Sequence, residues 1–214
     1  MRLRFVGCGD AFGSGGRYNT CFHVTGEKVN FLIDCGASSL PALKRNGVRC
    51  EEIDLVLITH FHGDHFGGLP FLMLEAQFTR RTRPLVIAGP RGIEARLERD
   101  DPQLETPFPM VHGDSGGPFL GYRIEVEGRI IAFTGDTEWN EALIPLGRDA
   151  DLFISECYFY DKSVKNHLNL KTLQAHLAEI RPKRLILTHL GEDMLVRLDT
   201  IAHQTASDGL VIDI

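Results

Sequence analysis

Residues 55–65 read Leu55-Val56-Leu57-Ile58-Thr59-His60-Phe61-His62-Gly63-Asp64-His65. The first four form a continuous apolar run, the pattern of a strand buried on both faces. The chain then leaves that strand with three imidazoles and a carboxylate within six residues. Imidazole nitrogen and carboxylate oxygen are the donors that zinc and related transition metals take. Gly63 permits the tight turn that lets neighbouring side chains converge. A helix is predicted from Gly67 to Phe78, with Leu69, Leu72, Met73 and Ala76 near helical spacing, and it would hold the loop from its far side. A single histidine here would read as loop decoration. Three, with an aspartate, after a buried strand, read as a metal site.

Working outward, the same alternation recurs. Residues 2–6 and 20–34 read as strands, the second broken into a hairpin at Gly26-Glu27-Lys28. Leu85–Ala88 reads as a short strand, Gly92–Arg99 as a helix, and the Pro-, Asp- and Gly-rich residues 100–118 as a long loop. Phe119–Val126 and Arg129–Phe133 form a second hairpin around Glu127-Gly128. Leu152-Phe153-Ile154-Ser155 and Arg184–Thr188 repeat the buried-strand pattern. Asn169 is a good N-cap for a helix whose Leu170, Leu173, Leu177 and Ile180 share a face. Glu192–Gln204 reads as a helix and Leu210–Ile214 as a last strand. Hairpins open each half and strand–helix alternation follows, which predicts an α/β protein.

The chain has 214 residues, 43% hydrophobic and 24% charged, enough to bury a core without covalent staples. One domain over 1–214 is expected. No apolar run approaches the roughly 20 residues of a membrane span. The N-terminus runs directly into a strand with no signal-peptide pattern. The five cysteines have no Cys-x-x-Cys spacing and read as reduced thiols of a cytoplasmic protein. Net charge is −6, against the basic face that a nucleic-acid backbone calls for. Arg80, Arg81 and Arg83 form a basic cluster too short for a phosphate track and read as a solvated loop. Gly7-Cys8-Gly9 with Gly13 superficially suggests a dinucleotide loop. It leads to a strand, however, so no helix N-terminus would meet a pyrophosphate. Arg17 in that loop reads as an exposed side chain.

With the motif in view, the sequence resembles the metallo-β-lactamase superfamily. Gly7-Cys8-Gly9-Asp10-Ala11, Phe31-Leu32-Ile33-Asp34-Cys35-Gly36, the Thr59–His65 loop, the isolated His112, Phe133-Thr134-Gly135-Asp136-Thr137 and Leu187-Thr188-His189 come in family order. The resemblance implies a four-layer αββα sandwich and a dinuclear site. His60, His62 and His112 would bind one metal, Asp64, His65 and His189 a second, and Asp136 would bridge them. Two Zn²⁺ ions are implied, with Mn²⁺ or Fe tolerated by the same donors. Asp34, Thr59 and Thr188 would orient the ligand histidines.

Within the superfamily, Asp136 sets the chain apart from the true β-lactamases, which generally carry cysteine at that position. His167, in Asn166-His167-Leu168, resembles a catalytic histidine of ribonuclease Z and the phosphoribosyl cyclic phosphodiesterases. Glu156 resembles the acid that orients it. Asp64, His167 and Glu156 are therefore the candidate catalytic residues, and no organic cofactor is implied. Ribonuclease Z usually carries a long arm that grips transfer RNA, inserted between the second and third metal motifs. Here His65 to His112 is already filled by predicted elements. That gap and the acidic balance favour a small cyclic or nucleotide-like phosphodiester over a large nucleic acid. The implied reaction is attack on phosphorus by a hydroxide generated at the metals. A lactonase or thioesterase using the same site is the alternative, and a non-catalytic metal-binding module is a third reading. Residues 100–120, with Phe108 and Met110, are expected to border the mouth, and Gly113–Gly117 to act as a lid. The resemblance also implies a homodimer, and the unusually apolar helix 67–78 offers a surface for one. No membrane partner is expected.

Overall fold

A computed structural model describes residues 1–93, 105–112 and 118–214. The chain divides into two compact units, Met1–Gln103 with Ser207–Asp213, and Leu104–Ala206 with Ile214. Each is built on one mixed sheet of six strands among the described residues.

In the first unit the strands are β1 (Arg2–Gly7), β2 (Cys21–Thr25), β3 (Asn30–Ile33), β4 (Leu55–Leu57), β5 (Val86–Ala88) and, from the chain's end, β12 (Val211–Asp213). They lie in the order β12-β1-β2-β3-β4-β5. The β12–β1–β2–β3 pairings are antiparallel, while β3–β4 and β4–β5 are parallel. The predicted hairpin turn closes with Gly26 N donating to Val29 O at 2.9 Å. One face of the sheet carries Val6, Leu32, Val56 and Ile58. These pack with Ala42 and Leu43 of helix α1 (Ser39–Arg45) and with Leu69 and Leu72 of helix α3 (Leu69–Phe78). Alternate residues on the other face, Leu3, Phe5, Phe22, Ile33 and Leu57, are fully buried. The apolar run at 55–58 is continuous because both faces are covered. Each such side chain contributes roughly 1.5–3 kcal/mol of burial.

The second unit repeats the design. Its strands are β6 (Glu105–Pro109), β7 (Leu120–Val126), β8 (Arg129–Phe133), β9 (Leu152–Glu156), β10 (Leu185–Thr188) and β11 (Gln204–Thr205), in the order β11-β10-β9-β8-β7-β6. β6, β7 and β8 form an antiparallel meander, and β8 to β11 are parallel. The β7–β8 turn places Glu127 and Gly128 at φ 51° and 70°, the left-handed pair of a two-residue hairpin loop. Helices α4 (Leu143–Gly147) and α5 (Leu170–Ile180) cover one face through Leu143, Leu146, Leu173 and Ile180 over Ala132, Phe153 and Leu187. Asn169 caps α5 as expected, its side chain accepting from Thr172 N at 2.8 Å. Two sheets with flanking helices bear out the α/β class.

Two expectations need correction. The long loop over 100–118 contains strand β6, which pairs antiparallel with β7. Pro107 and Pro109 hid it, yet β6 is an edge strand, where a missing N–H is tolerated. The helix over 192–204 is only α6 (Glu192–Leu195), followed by a 3-10 turn at Leu198–Thr200 and then by β11. There, pairing with the open edge of β10 overrides local helix preference. The helix expected over 67–78 is present as α3, Leu69–Phe78. A turn of helix, α2 (Gly63–Phe66), precedes α3, and Gly68 N between them donates to Cys35 O at 2.8 Å. Helices α1 and α4 were not anticipated. Most of the predicted helix Gly92–Arg99, and the predicted lid Gly113–Gly117, lie outside the described residues. Among the described residues no helix is long and apolar enough to cross a membrane.

Candidate metal centre

The first unit carries four of the seven expected ligands and the second carries three. In the first, β4 ends at Leu57 and the backbone runs through Ile58 and Thr59 into His60. The fully buried Asp34, at the end of β3, organises this loop. Its Oδ1 accepts from Thr59 N at 2.8 Å, and its Oδ2 accepts from the Thr59 hydroxyl at 2.8 Å. The same Oδ2 lies 2.7 Å from His65 Nδ1. With Nδ1 donating to Asp34, His65 turns its Nε2 the other way, 3.4 Å from Asp64 Oδ2. Thr59 Oγ1 also meets His60 Nδ1 at 3.0 Å. The His60 ring centroid lies 4.2 Å from that of His65 and 4.7 Å from that of His62. His60, Asp64 and His65 are buried and His62 is half-buried. Burial pushes the Asp34 carboxyl up, opposed by the His65 ring and the Thr59 donors. The expected orienting roles of Asp34 and Thr59 are thus visible as hydrogen bonds.

The α2 turn also needs the glycine at Gly36. A Cβ there would stand 2.0 Å from the backbone oxygen of Asp64. Only glycine lets the end of β3 pass so close beneath the motif.

In the second unit the donors come from distant segments. Asp136 follows β8, and its Oδ2 lies 3.3 Å from His189 Nε2 and 3.7 Å from His112 Nε2. All three are buried. His112 Nδ1 donates to the carbonyl of Asn166 at 2.6 Å, which leaves Nε2 on the Asp136 side. Asn166 sits at φ 77° and His189 at φ 54°, a backbone region uncommon outside glycine, though asparagine and histidine enter it more readily than most. Glu156, at the end of β9, is fully buried. Its Oε1 accepts from Thr137 N at 2.5 Å, and its Oε2 lies 3.2 Å from His167 Nδ1. Burial pushes the Glu156 carboxyl up, and the His167 ring opposes that shift. Glu156 and His167 therefore form the pair expected from sequence.

Sequence reading missed three supporting residues. Tyr158 stacks on His167, with centroids 4.7 Å apart and planes at 28°. The Asn166 carbonyl fixes the His112 ring. The Thr137 hydroxyl accepts from Val111 N at 3.1 Å and so anchors the segment that carries His112. Only proximity in sequence to His167, Glu156 and Asp136 could have flagged them. Thr188 engages through its backbone, its carbonyl accepting from Cys157 N. The Arg81 guanidinium donates to the carbonyls of Cys50, Ile53 and Pro84, so the centre of the basic cluster is committed to holding its own chain.

The donor chemistry fits transition metals. One unit offers three imidazoles and a carboxylate, the other two imidazoles and a carboxylate, with ring nitrogens held by carboxylate, hydroxyl or carbonyl partners.

Comparison with known proteins agrees. Residues 1–100 match the family model described as anti-Pycsar protein Apyc1, and residues 100–190 match the β-lactamase superfamily domain. Ribonuclease Z of Geobacillus kaustophilus is 26% identical over 89% of this chain and 88% of its own. The probable metallo-hydrolase YhfI of Bacillus subtilis is 27% identical over 89% of this chain and 87% of its own. Its crystal structure superposes with a TM-score of 0.81, covering 99% and 98% of the two chains at 23% identity. The short form of human tRNase Z superposes with a TM-score of 0.82, covering 100% and 99% at 23% identity. The chain thus shares the fold of these proteins, and its residues 100–190 resemble the β-lactamase superfamily domain. Its relatives include a ribonuclease Z and a probable metallo-hydrolase. The name ribonuclease Z denotes an enzyme that acts on RNA. That relative therefore sits against the expectation, drawn from acidic charge, that no large nucleic acid is a partner.

Proposed function

We propose that the chain is a phosphodiesterase acting on a small phosphodiester with two Zn²⁺-class ions. His60, His62 and His112 would hold one ion, Asp64, His65 and His189 the other, with Asp136 between them. Bound there, such ions supply Lewis acidity and a nucleophile at neutral pH. The chain's own residues do the rest. Asp34 keeps the His65 tautomer fixed, and the Asn166 carbonyl does the same for His112. Glu156 holds His167 Nδ1, so that His167 Nε2 presents a proton to the phosphoryl or leaving oxygen.

The contact of the half-buried His167 with the buried Glu156, in the same unit as Asp136, His112 and His189, is the observation that carries this reading. An acid-oriented imidazole suits protonation of an alkoxide leaving group, a step that diester cleavage needs. The net charge of −6 supports a small substrate over a long nucleic-acid backbone.

The test is metal analysis of chelator-free protein together with parallel assays on bis(p-nitrophenyl) phosphate, a lactone, a thioester and a structured RNA. About two ions per chain and preferential turnover of the phosphodiester are expected. No bound metal would sink the metal assignment. Preference for the lactone or thioester would replace the phosphodiesterase reading, and preference for the RNA would replace the small substrate.

A further inference from the structure

Beside His167, within the second unit, lies a cavity of about 190 Å³ that the assignments above do not use. Glu138, Trp139, Ser163, Val164, His167 and Thr172 line it. One wall is thus the imidazole proposed to meet the phosphoryl group. We propose that the cavity seats one organic arm of the substrate ester. It favours a flat ring bearing a hydrogen-bond donor or positive charge, and it turns away an arm bearing a second anion. This rests on the phosphodiesterase reading and names the half of the substrate that reading leaves open.

Three observations support the assignment. The first is size. A cavity of roughly 150 Å³ accepts benzene, so about 190 Å³ suits a single substituted ring. The second is a wall fixed in advance. The Trp139 indole stacks on the His176 imidazole, with centroids 3.7 Å apart and planes at 11°. His176 Nδ1 lies 2.8 Å from Glu179 Oε1. An indole buttressed from behind loses little freedom when a ring is placed against it. Val164, 41% exposed, adds an apolar edge. The third is charge. Glu138 brings the one carboxylate of the lining. Its Oε2 reaches Asn166 N only at 3.5 Å, beyond a strong hydrogen bond. A carboxylate so placed accepts from an amine or hydroxyl and repels an anion.

The test uses p-nitrophenyl diesters whose second arm is methyl, benzyl, 4-(aminomethyl)benzyl or 4-carboxybenzyl. The expected order of kcat/KM is aminomethylbenzyl, benzyl, methyl, carboxybenzyl. The benzyl arm should gain about tenfold over methyl, mostly in KM, as burial of one ring predicts. Val164→Trp, which fills the cavity from an exposed position, should bring the benzyl and methyl arms within about twofold. Glu138→Gln should bring the carboxybenzyl arm within about threefold of benzyl. Trp139 is the single tryptophan of the chain, so its fluorescence reports occupancy without turnover. 4-(Aminomethyl)benzyl alcohol should give a saturable change and 4-carboxybenzyl alcohol none. A flat order across the four arms, or no change in Trp139 fluorescence, overturns the cavity assignment. Saturable binding with no hydrolysis of any diester would overturn the phosphodiesterase reading and with it the role of the cavity as an ester-arm site, leaving only a ring-binding cavity.

Discussion

The two units supply similar donors by opposite means. In the first, His60, His62, Asp64 and His65 come from one short stretch, the loop after β4 and the turn of helix α2, and their partners Thr59 and Asp34 sit on the strand ends beside it. In the second, His112, Asp136, Glu156, His167 and His189 come from five separate segments. Their convergence depends on the order of β8, β9 and β10 in the sheet. A ligand set made locally tolerates loosening elsewhere. A set made by the sheet inherits every fault in that sheet.

Four substitutions would break or sharpen this contrast. Asp136→Ala removes the carboxylate assigned between the two ions. Turnover should fall at least about a thousandfold, the scale of losing a central electrostatic group, and metal content should drop below that of the parent by elemental analysis. If metal content and turnover both survive, the second unit does not carry the ligands assigned to it. His167→Ala should cost roughly 10²–10⁴-fold in kcat, the range of general acid–base catalysis, with metal content intact. Loss of metal alongside activity would make His167 a ligand. Asp34→Asn keeps the shape but weakens the hold on His65. Metal affinity should fall about 10–100-fold, read by chelator competition. Asn169→Ala is the smallest. It removes the α5 cap and should cost about 1 kcal/mol in chemical denaturation. By the contrast drawn above, it should loosen the second-unit ligands more than the Thr59–His65 loop, measurable as hydrogen exchange at the two sites. Equal loosening would show that the halves are coupled.

The same contrast explains what could be read from the sequence. The Thr59–His65 motif was legible because its chemistry is local, and the strands at 55–57, 152–156 and 185–188 because both their faces are covered. The Asn169 cap was legible because asparagine stands just before the helical spacing of Leu170, Leu173, Leu177 and Ile180. Strand β6 was not, since Pro107 and Pro109 argue against a strand unless its edge position is known. Neither was the break at 192–204, where the open edge of β10 decides. The Glu156–His167 pair was reached by resemblance. Tyr158 behind His167 and Asn166 behind His112 were not reached at all, because stacking and a carbonyl contact across 54 positions leave no mark in local sequence.

Asp34, Asn166 and His189 all hold positive φ, at 60°, 77° and 54°. For non-glycine residues such backbone costs roughly 1–3 kcal/mol each, least for asparagine. Glycine would relieve that strain, yet at Asp34 it would strip the carboxylate from Thr59 and His65, and at His189 it would leave a buried void. Side-chain contacts and backbone strain thus pull these positions in opposite directions, and the contacts set the outcome.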